Sequence, residues 1–372
     1  MPPERAPRKV SLILHKFSRG GSDRVAAYLA RGFADAGLQV ELLVFCKGGE
    51  VEETLTGLLG EGIPIRYLGT GGPSRALDLI RGLPGLIRRL RDDRPDVVVS
   101  TANNTALISA IALRLAGAST TKLVLKTTNP VATSRHVGVL RWLRLATYRL
   151  IFRWTAAVWT LSAEESAEMR TEFPCYAPLF RDVANPYVTE AMLSPRPPVP
   201  FRAGKTVISV ARLTAQKRLD LLIAAFARVR DSKARLLILG EGEDRVALTE
   251  QIADLGLTGR VTMPGYVDDV GKTLAAADLF VLPSDYEGLP AAVLEAMAVD
   301  CPVLSTDCFP AARSLVGGTP GCAIIERTDP VSLAALIDEH LGLPKPDHLR
   351  AVAERYSIAN GIASHLRALA EV

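Results

Sequence analysis

Strand-length apolar runs alternate with helical patterns from one end of the chain to the other, and the alternation breaks once and then restarts. Strands in that order must run parallel, because each return to the same edge needs a crossover long enough to be a helix. The first unit begins at strand Lys9–Leu14 and passes through a glycine-bearing loop. A helix follows with Val25, Ala26, Leu29, Ala30 and Phe33 on one face, then strand Val40–Phe45. Further strands are expected at Ile63–Leu68, Asp96–Ser100, Leu123–Lys126 and Ala157–Leu161.

The break is Ser194-Pro195-Arg196-Pro197-Pro198-Val199-Pro200, which reads as an extended linker. After it, strand Thr206–Val210 leads through a loop to a helix with Leu219, Leu222, Ile223, Phe226 and Val229 on one face. Strands Leu236–Leu239, Val261–Met263, Leu279–Leu282, Pro302–Ser305 and Ala323–Ile325 complete the second half. A length of 372 residues is ample for two domains. The expected architecture is α/β: two Rossmann-like domains facing each other across a cleft, with ligands at the carboxyl ends of the strands. The divisions are residues 1–195, a linker at 196–204 and a second domain at 205–355, with a terminal helix at 356–372 packing back on the first domain.

Composition narrows the function classes. No run approaches the ~20 apolar residues of a membrane span, and Val10–Leu14 is too short for a secretory core. The five cysteines (46, 175, 301, 308, 322) include no Cys-x-x-Cys pair and lack nearby histidines, so reduced core thiols of a cytoplasmic protein are expected and a metal site is not. Residues 1–196 carry 26 basic and 18 acidic side chains, whereas the remainder carries 18 and 22. Between Asp96 and Glu164 there is no acid at all, but there are eight basic residues. Such a surface suits lipid headgroups or phosphate-bearing substrates. Nucleic acid is not expected, since no recognition motif accompanies the charge.

Three segments carry chemistry. Ser18-Arg19-Gly20-Gly21-Ser22-Asp23-Arg24 links a strand to a helix, and its paired glycines allow close backbone approach to an anion. It lacks the full dinucleotide fingerprint, and a tight turn capped by Ser22 explains it equally well. In the second half, Arg212 and Lys217 lie beyond the end of a strand, where a fork of donors and a point charge together suit a diphosphate. As loop cations, they are expected to contribute little to folding. Then Asp285-Tyr286-Glu287-Gly288-Leu289-Pro290 runs from a buried strand into a helix, with N–H groups at Gly288 and Leu289 and Pro290 at the helix start. Glu287 and Glu295 would be roughly 12 Å apart on a continuous helix, beyond the ~5–9.5 Å of a glycosidase acid pair. They are binding groups for separate contacts.

The Glu-Gly-Leu-Pro opening and the seven residues between Glu287 and Glu295 resemble the signature of the retaining glycosyltransferases of family 4, which have the GT-B fold. The resemblance extends to Gly20-Gly21-Ser22-Asp23-Arg24, to Ala-Arg-Leu with Gln-Lys-Arg, to Leu239-Gly240-Glu241-Gly242 and to Pro264-Gly265-Tyr266-Val267. It implies that Arg212 and Lys217 hold the diphosphate of a nucleotide-sugar donor. Glu287, with the backbone of Gly288, Leu289 and Pro290, would hold the sugar, and Glu295 the ribose. Gly240-Glu241-Gly242 would line the nucleoside, Tyr266-Val267 would meet the base, and Gly20 and Gly21 would close on the phosphates. Many relatives carry a histidine after the fourth strand where this chain reads Lys126-Thr127-Thr128-Asn129-Pro130. Asn129, His136 and His15 are therefore the acceptor-side candidates. A protein base is not required, since the departing phosphate can take the acceptor proton, leaving the two cations as the main catalytic groups.

No metal or other cofactor is expected: Asp-x-Asp is absent. The expected donor is a UDP-sugar and the expected acceptor lipid-linked or a glycan, met on the cytoplasmic face of a membrane. Trp142, Tyr148, Phe152 and Trp154, interleaved with Arg141, Arg144, Arg149 and Arg153, would face anionic lipid, although these arginines do not share one helical face and some of the aromatics belong to the core. A second basic cluster is Arg81, Arg88, Arg89, Arg91 and Arg94. The competing readings are a sugar-nucleotide epimerase of the same architecture, which the Glu spacing opposes, and a non-catalytic sugar-nucleotide-binding subunit, which the presence of Glu287, Arg212 and Lys217 opposes.

Overall fold

The computed structural model describes residues 7–18, 20–48, 52–72, 74–131, 138–194 and 204–372. By contacts the chain forms two units, one of residues up to Pro186 with Ile358–Val372, the other Tyr187–Ser357.

The first unit holds seven parallel strands: β1 Lys9–Leu14, β2 Gln39–Val44, β3 Ile65–Tyr67, β4 Val97–Ser100, β5 Lys122–Lys126, β6 Ala157–Thr160 and β7 Phe180–Asp182, in the order β3-β2-β1-β4-β5-β6-β7. The second holds six: β8 Thr206–Val210, β9 Arg235–Leu239, β10 Val261–Gly265, β11 Leu279–Leu282, β12 Val303–Thr306 and β13 Ala323–Ile325, in the order β10-β9-β8-β11-β12-β13. Both sheets are doubly wound, and in both the strand order reverses beside the unit's first strand, β1 against β4 and β8 against β11. Central strands are mostly apolar because helices cover both faces: all four residues of β4 (Val-Val-Val-Ser) and all four of β11 (Leu-Phe-Val-Leu) are buried.

β7 has no counterpart in the expected strands. Its sequence is Phe-Arg-Asp, and only Phe180 is buried, so there is no apolar run to read. Phe180 is held by edge-on contact with Phe152 at 5.6 Å, a tertiary cause. The third strand is also shorter than expected, because Pro64 has no N–H to give and serves the sheet only through its carbonyl, which accepts from Leu42 N.

The boundary lies ahead of the proline-rich stretch, and residues 195–203 are outside the described ones. Tyr187 and Val188 donate to Tyr356 O at 3.0 and 2.9 Å, and Val188 bridges Ser357 in parallel. Helix Glu190–Leu193 packs on helices Val270–Ala276 and Ala291–Ala298. Residues 187–193 thus pack with the second unit. Helix Ile358–Ala370 packs on helix Gly21–Asp35 of the first unit, so closely that a Cβ at Gly32 would lie 2.5 Å from Ile362.

All five cysteines are free thiols. Cys301 and Cys308 are buried, and burial raises both to about 12, so they are inert; Cys175 is exposed and is not a core thiol.

Candidate functional site

In the second unit the loops leaving β8 and β11 lie side by side at the strand-order reversal, where open α/β sheets bind their ligands. After β8 the chain passes Arg212, makes a single 3₁₀ turn at Ala215–Lys217, and enters helix Leu219–Phe226 through Arg218 at φ +47°. After β11 it passes Asp285 and Glu287 and enters helix Ala291–Ala298, for which Pro290 is the N-cap. The two loops are sewn together. Asp285 N donates to Gln216 O at 2.9 Å, Gln216 Nε2 donates to Tyr286 O at 2.6 Å, and Arg218 Nη1 meets Asp285 Oδ1 at 3.3 Å.

The innermost link is an ion pair between Lys217 Nζ and Glu287 Oε1, with side chains 19% and 10% exposed. Lys217 is therefore not a free loop cation, and the expectation that it contributes little to folding is corrected: its ammonium answers a buried carboxylate. Glu287 is fixed further by its own N–H, which donates to Cys308 O at 2.6 Å. Arg212 is exposed at the end of β8. Gly288, Leu289 and Pro290 are buried, and Glu295 lies on the same helix, 4% exposed.

The neighbouring strand ends close around these loops. Gly240 has φ +129°, and a Cβ there would lie 2.0 Å from Ala211 O; at Gly242 it would lie 2.2 Å from Leu213 O. Both contacts are backbone on backbone, so only glycine permits them. Leu213 N donates to Glu241 O and Gly240 N to Gly265 O, fixing the β8 loop against β9 and β10. The Glu241 carboxylate is gripped by Arg245 through two bonds of 2.6 Å. Its side chain is thus committed within the loop. Tyr266 and Val267 follow the end of β10, and Tyr266 is 46% exposed.

In the first unit Gly20, extended, is the N-cap of helix Gly21–Asp35, so the cap precedes Ser22 by two residues. The turn is braced by Asp23, whose carboxylate accepts from Ser18 N at 3.0 Å and from Ser18 Oγ. Burial raises the Asp23 carboxyl above the usual carboxylate range. His15 follows β1 and its Nε2 meets Asp78 Oδ2 at 3.0 Å. Burial lowers its pKa against the opposing pull of Asp78, favouring the neutral ring. Asn129 is exposed after β5, its carbonyl accepting from Asn103 Nδ2 at 2.8 Å. His136 lies outside the described residues.

Helix Gly138–Phe152 sorts the residues expected to face lipid. Tyr148 and Phe152 are 9% and 2% exposed and belong to the core, and Trp154 is partly buried under Arg114. Trp142 is 64% exposed, among Val139, Leu140, Leu143 and Leu150 at the same surface. Two members of the second basic cluster are paired with acids: Arg88 with Asp92, and Arg89 with Glu41 and Asp93. Among the described residues no helix is long and apolar enough to cross a membrane.

Sequence reasoning missed Gln216 and Arg218 as braces of the site, and a buried charge in the first unit at Lys126. Lys126 closes the strand Lys-Leu-Val-Leu-Lys, a position from which an ordinary lysine would reach solvent.

Residues 20–179 match the family described as glycosyl transferase 4-like domain, and residues 196–356 match glycosyl transferases group 1. An uncharacterised glycosyltransferase of Methanocaldococcus jannaschii is 28% identical over 245 residues, 62% of this chain and 60% of that protein. An N-acetylgalactosamine-N,N'-diacetylbacillosaminyl-diphospho-undecaprenol 4-alpha-N-acetylgalactosaminyltransferase of Campylobacter jejuni is 35% identical over 113 residues, 30% of this chain and 31% of its own length. The chain thus spans less than two thirds of either relative. In three dimensions it resembles Anabaena HepE, solved in complex with UDP and glucose, with a TM-score of 0.77 and 18% identity over 98% of this chain and 100% of that one. At that identity the likeness concerns the fold.

Proposed function

The chain belongs to the GT-B glycosyltransferases of family 4, and on that footing we propose that it is a retaining, metal-independent enzyme that takes a sugar from a UDP-sugar. The observation that carries the reading is the Lys217–Glu287 pair at the strand-order reversal, with Arg212 exposed beside it. An ammonium has three N–H donors, and one to Glu287 leaves others for a phosphate oxygen. Arg212 adds a planar fork. Negative charge grows on the diphosphate as the glycosidic bond breaks, and two fixed cations stabilise it there. The departing phosphate takes the proton of the acceptor hydroxyl on the face it leaves, which retains the configuration at the anomeric carbon. Glu287 orients the sugar hydroxyls and Glu295 the ribose. Gly240, Gly242 and the segment Tyr266-Val267 border the nucleoside. HepE's complex with UDP supports uridine as the base. Two cations can neutralise a diphosphate without a divalent ion.

The acceptor is lipid-linked or a glycan, reached from the cytoplasmic side with helix Gly138–Phe152 resting on the membrane. What supports this is the exposed apolar group around Trp142 together with exposed Arg149 and Arg153 on an acid-free stretch, whereas Arg141 is engaged by Glu172. The Campylobacter relative, named for an undecaprenol-linked acceptor, points the same way. The deciding experiment is a donor screen by released nucleoside diphosphate, with mass spectrometry of a membrane extract as the acceptor source. Release from no nucleotide-sugar in the presence of extract would refute the reading.

A further inference from the structure

The chain segments leaving β1, β2 and β3 come together in the first unit around a histidine and a carboxylate. His15 is the residue after β1, the strand beside which the sheet order reverses. Its carbonyl accepts from Cys46 N at 3.0 Å, which extends the β1–β2 pairing one step and holds the backbone there. Asp78 comes from the first turn of helix Arg75–Asp93, whose N-cap is Ser74. Its Oδ2 stands 3.0 Å from His15 Nε2, and the His15 and Asp78 side chains are 11% and 6% exposed. The loop after β3 closes on the same place. A Cβ at Gly72 would lie 3.2 Å from Asp78 Oδ1, and one at Gly71 would lie 3.0 Å from Cys46 Sγ.

The pair fixes the ring. A carboxylate only accepts, so the 3.0 Å contact puts a proton on Nε2. Burial favours the neutral imidazole, which leaves Nδ1 with its lone pair. Among the described residues no hydrogen bond reaches Nδ1, and the second Asp78 oxygen is buried without a partner. As an internal brace this arrangement is poor, because a carboxylate gives up water for one hydrogen bond from a neutral ring. As a device for setting a tautomer it is complete, since a proton held on Nε2 keeps Nδ1 an acceptor. The ring also lies where doubly wound sheets bind their ligands, beyond the carboxyl end of a strand at the order reversal.

We propose that His15 is a substrate contact whose Nδ1 accepts a hydrogen bond from a hydroxyl of the acceptor, and that Asp78 is the positioning residue that sets its tautomer. The proposal deepens the transfer reading and rests on it for the hydroxyl, but not for the tautomer. The departing phosphate takes the proton of the reacting hydroxyl, so the one held by His15 is a neighbour of it. The role is orientation, and no proton moves to the ring.

Two experiments on the full chain test the two parts. With histidine labelled in 15N and no substrate present, ring spectra at neutral pH should show His15 protonated on Nε2 and bare on Nδ1. His15→Gln identifies the signal by its loss. A proton on Nδ1, or on both nitrogens, would overturn the proposal. Transfer is then followed with the nucleotide-sugar that gives release, and membrane extract as the acceptor source. Glutamine can still donate to Asp78 but offers nothing in the place of Nδ1. His15→Gln should therefore lower the initial slope of turnover against extract about tenfold, the worth of one hydrogen bond, with melting temperature and affinity for UDP unchanged. A wild-type slope, or an equal loss of UDP affinity, would overturn the acceptor contact.

Asp78→Asn should lower the slope as well, because a carboxamide both donates and accepts and no longer dictates which nitrogen is protonated. It should also move the acid limb of turnover to lower pH. The groups facing the ring are Asp78 and Arg75 of helix Arg75–Asp93, Lys16 beside it, Asp23 of helix Gly21–Asp35 and Cys46 after β2. Asp78 is the one bonded to the ring and favours its protonation, so without that charge the ring protonates only at lower pH. An acid limb that stays in place would overturn the role of Asp78. Release from no nucleotide-sugar by the wild-type chain would overturn the transfer reading and the acceptor contact with it, while the spectra still decide the tautomer.

Discussion

Replacing Lys217 by alanine should damage folding and catalysis together, and the two losses should separate in a second variant. Lys217 and Glu287 are 19% and 10% exposed at their side chains, so truncating the lysine strands a carboxylate where water hardly reaches it. Removing one partner of a buried pair costs ~3–5 kcal/mol, and the residual exposure of Lys217 puts this pair below that range, at about 2–3 kcal/mol. For a unit the size of residues 187–357, each kcal/mol moves the melting temperature about 2–4 °C, so a drop of roughly 5–10 °C is expected. Turnover should fall about 10²-fold or more, the loss typical of one transition-state donor. Adding Glu287→Gln to Lys217→Ala removes the stranded charge and should restore most of the stability, but none of the turnover. The assays are thermal unfolding and release of nucleoside diphosphate on the same preparations. Wild-type melting in Lys217→Ala, or a double variant as unstable as the single, would refute the pairing argument; wild-type turnover would refute the diphosphate role.

The two glutamates should divide the donor between them: by calorimetry Glu287→Ala should still bind free UDP, whereas Glu295→Ala should bind it at least tenfold more weakly, and equal losses would contradict the division. Gly242→Ala drives a methyl to 2.2 Å from Leu213 O and should lower the melting temperature by several degrees or abolish soluble expression; unchanged melting would show that the β8 loop yields freely. Burial holds the His365 pKa down at about 3, against about 6.5 unfolded, so the unfolded chain takes up the proton first and stability falls with pH below 6.5. Between pH 6.5 and 5 this amounts to about 2 kcal/mol in urea titrations, and His365→Phe should flatten that part of the profile. Leu140→Asp with Trp142→Asp should abolish flotation with vesicles containing anionic lipid at low salt; full flotation of the variant would move the membrane contact elsewhere.

Much of this was legible because doubly wound sheets advertise themselves. Buried parallel strands must be mostly apolar, so the run Leu279–Leu282 could be read to the residue, as could Thr206–Val210. The strand-end loops were legible for a related reason: Arg212, Lys217 and Glu287 are charged residues directly after such runs, where the fold leaves chain free to bind. What a one-dimensional pattern does not carry is which charges find each other. Lys217 and Glu287 are seventy residues apart, and their pairing follows from β8 lying against β11, not from either local sequence. Strand β7 was hidden because aromatic packing, not alternation, holds it. Lys126 was read past because the end of a strand is an ordinary place for a lysine, and nothing local to the strand announces that it is buried.

The return of helix Ile358–Ala370 to the first unit has a consequence for the order in which the protein can be made. The first unit is written in two pieces with the whole second unit between them. On the ribosome, its seven strands emerge early, but the helix that sets His365 edge-on to Trp159 comes only after residue 357. Until then a sheet face meant for the interior, with a tryptophan on it, stays open to chaperones and to other nascent chains. The second unit, continuous from 187 to 357, has no such wait. It is the half that can be complete first, although its translation begins second.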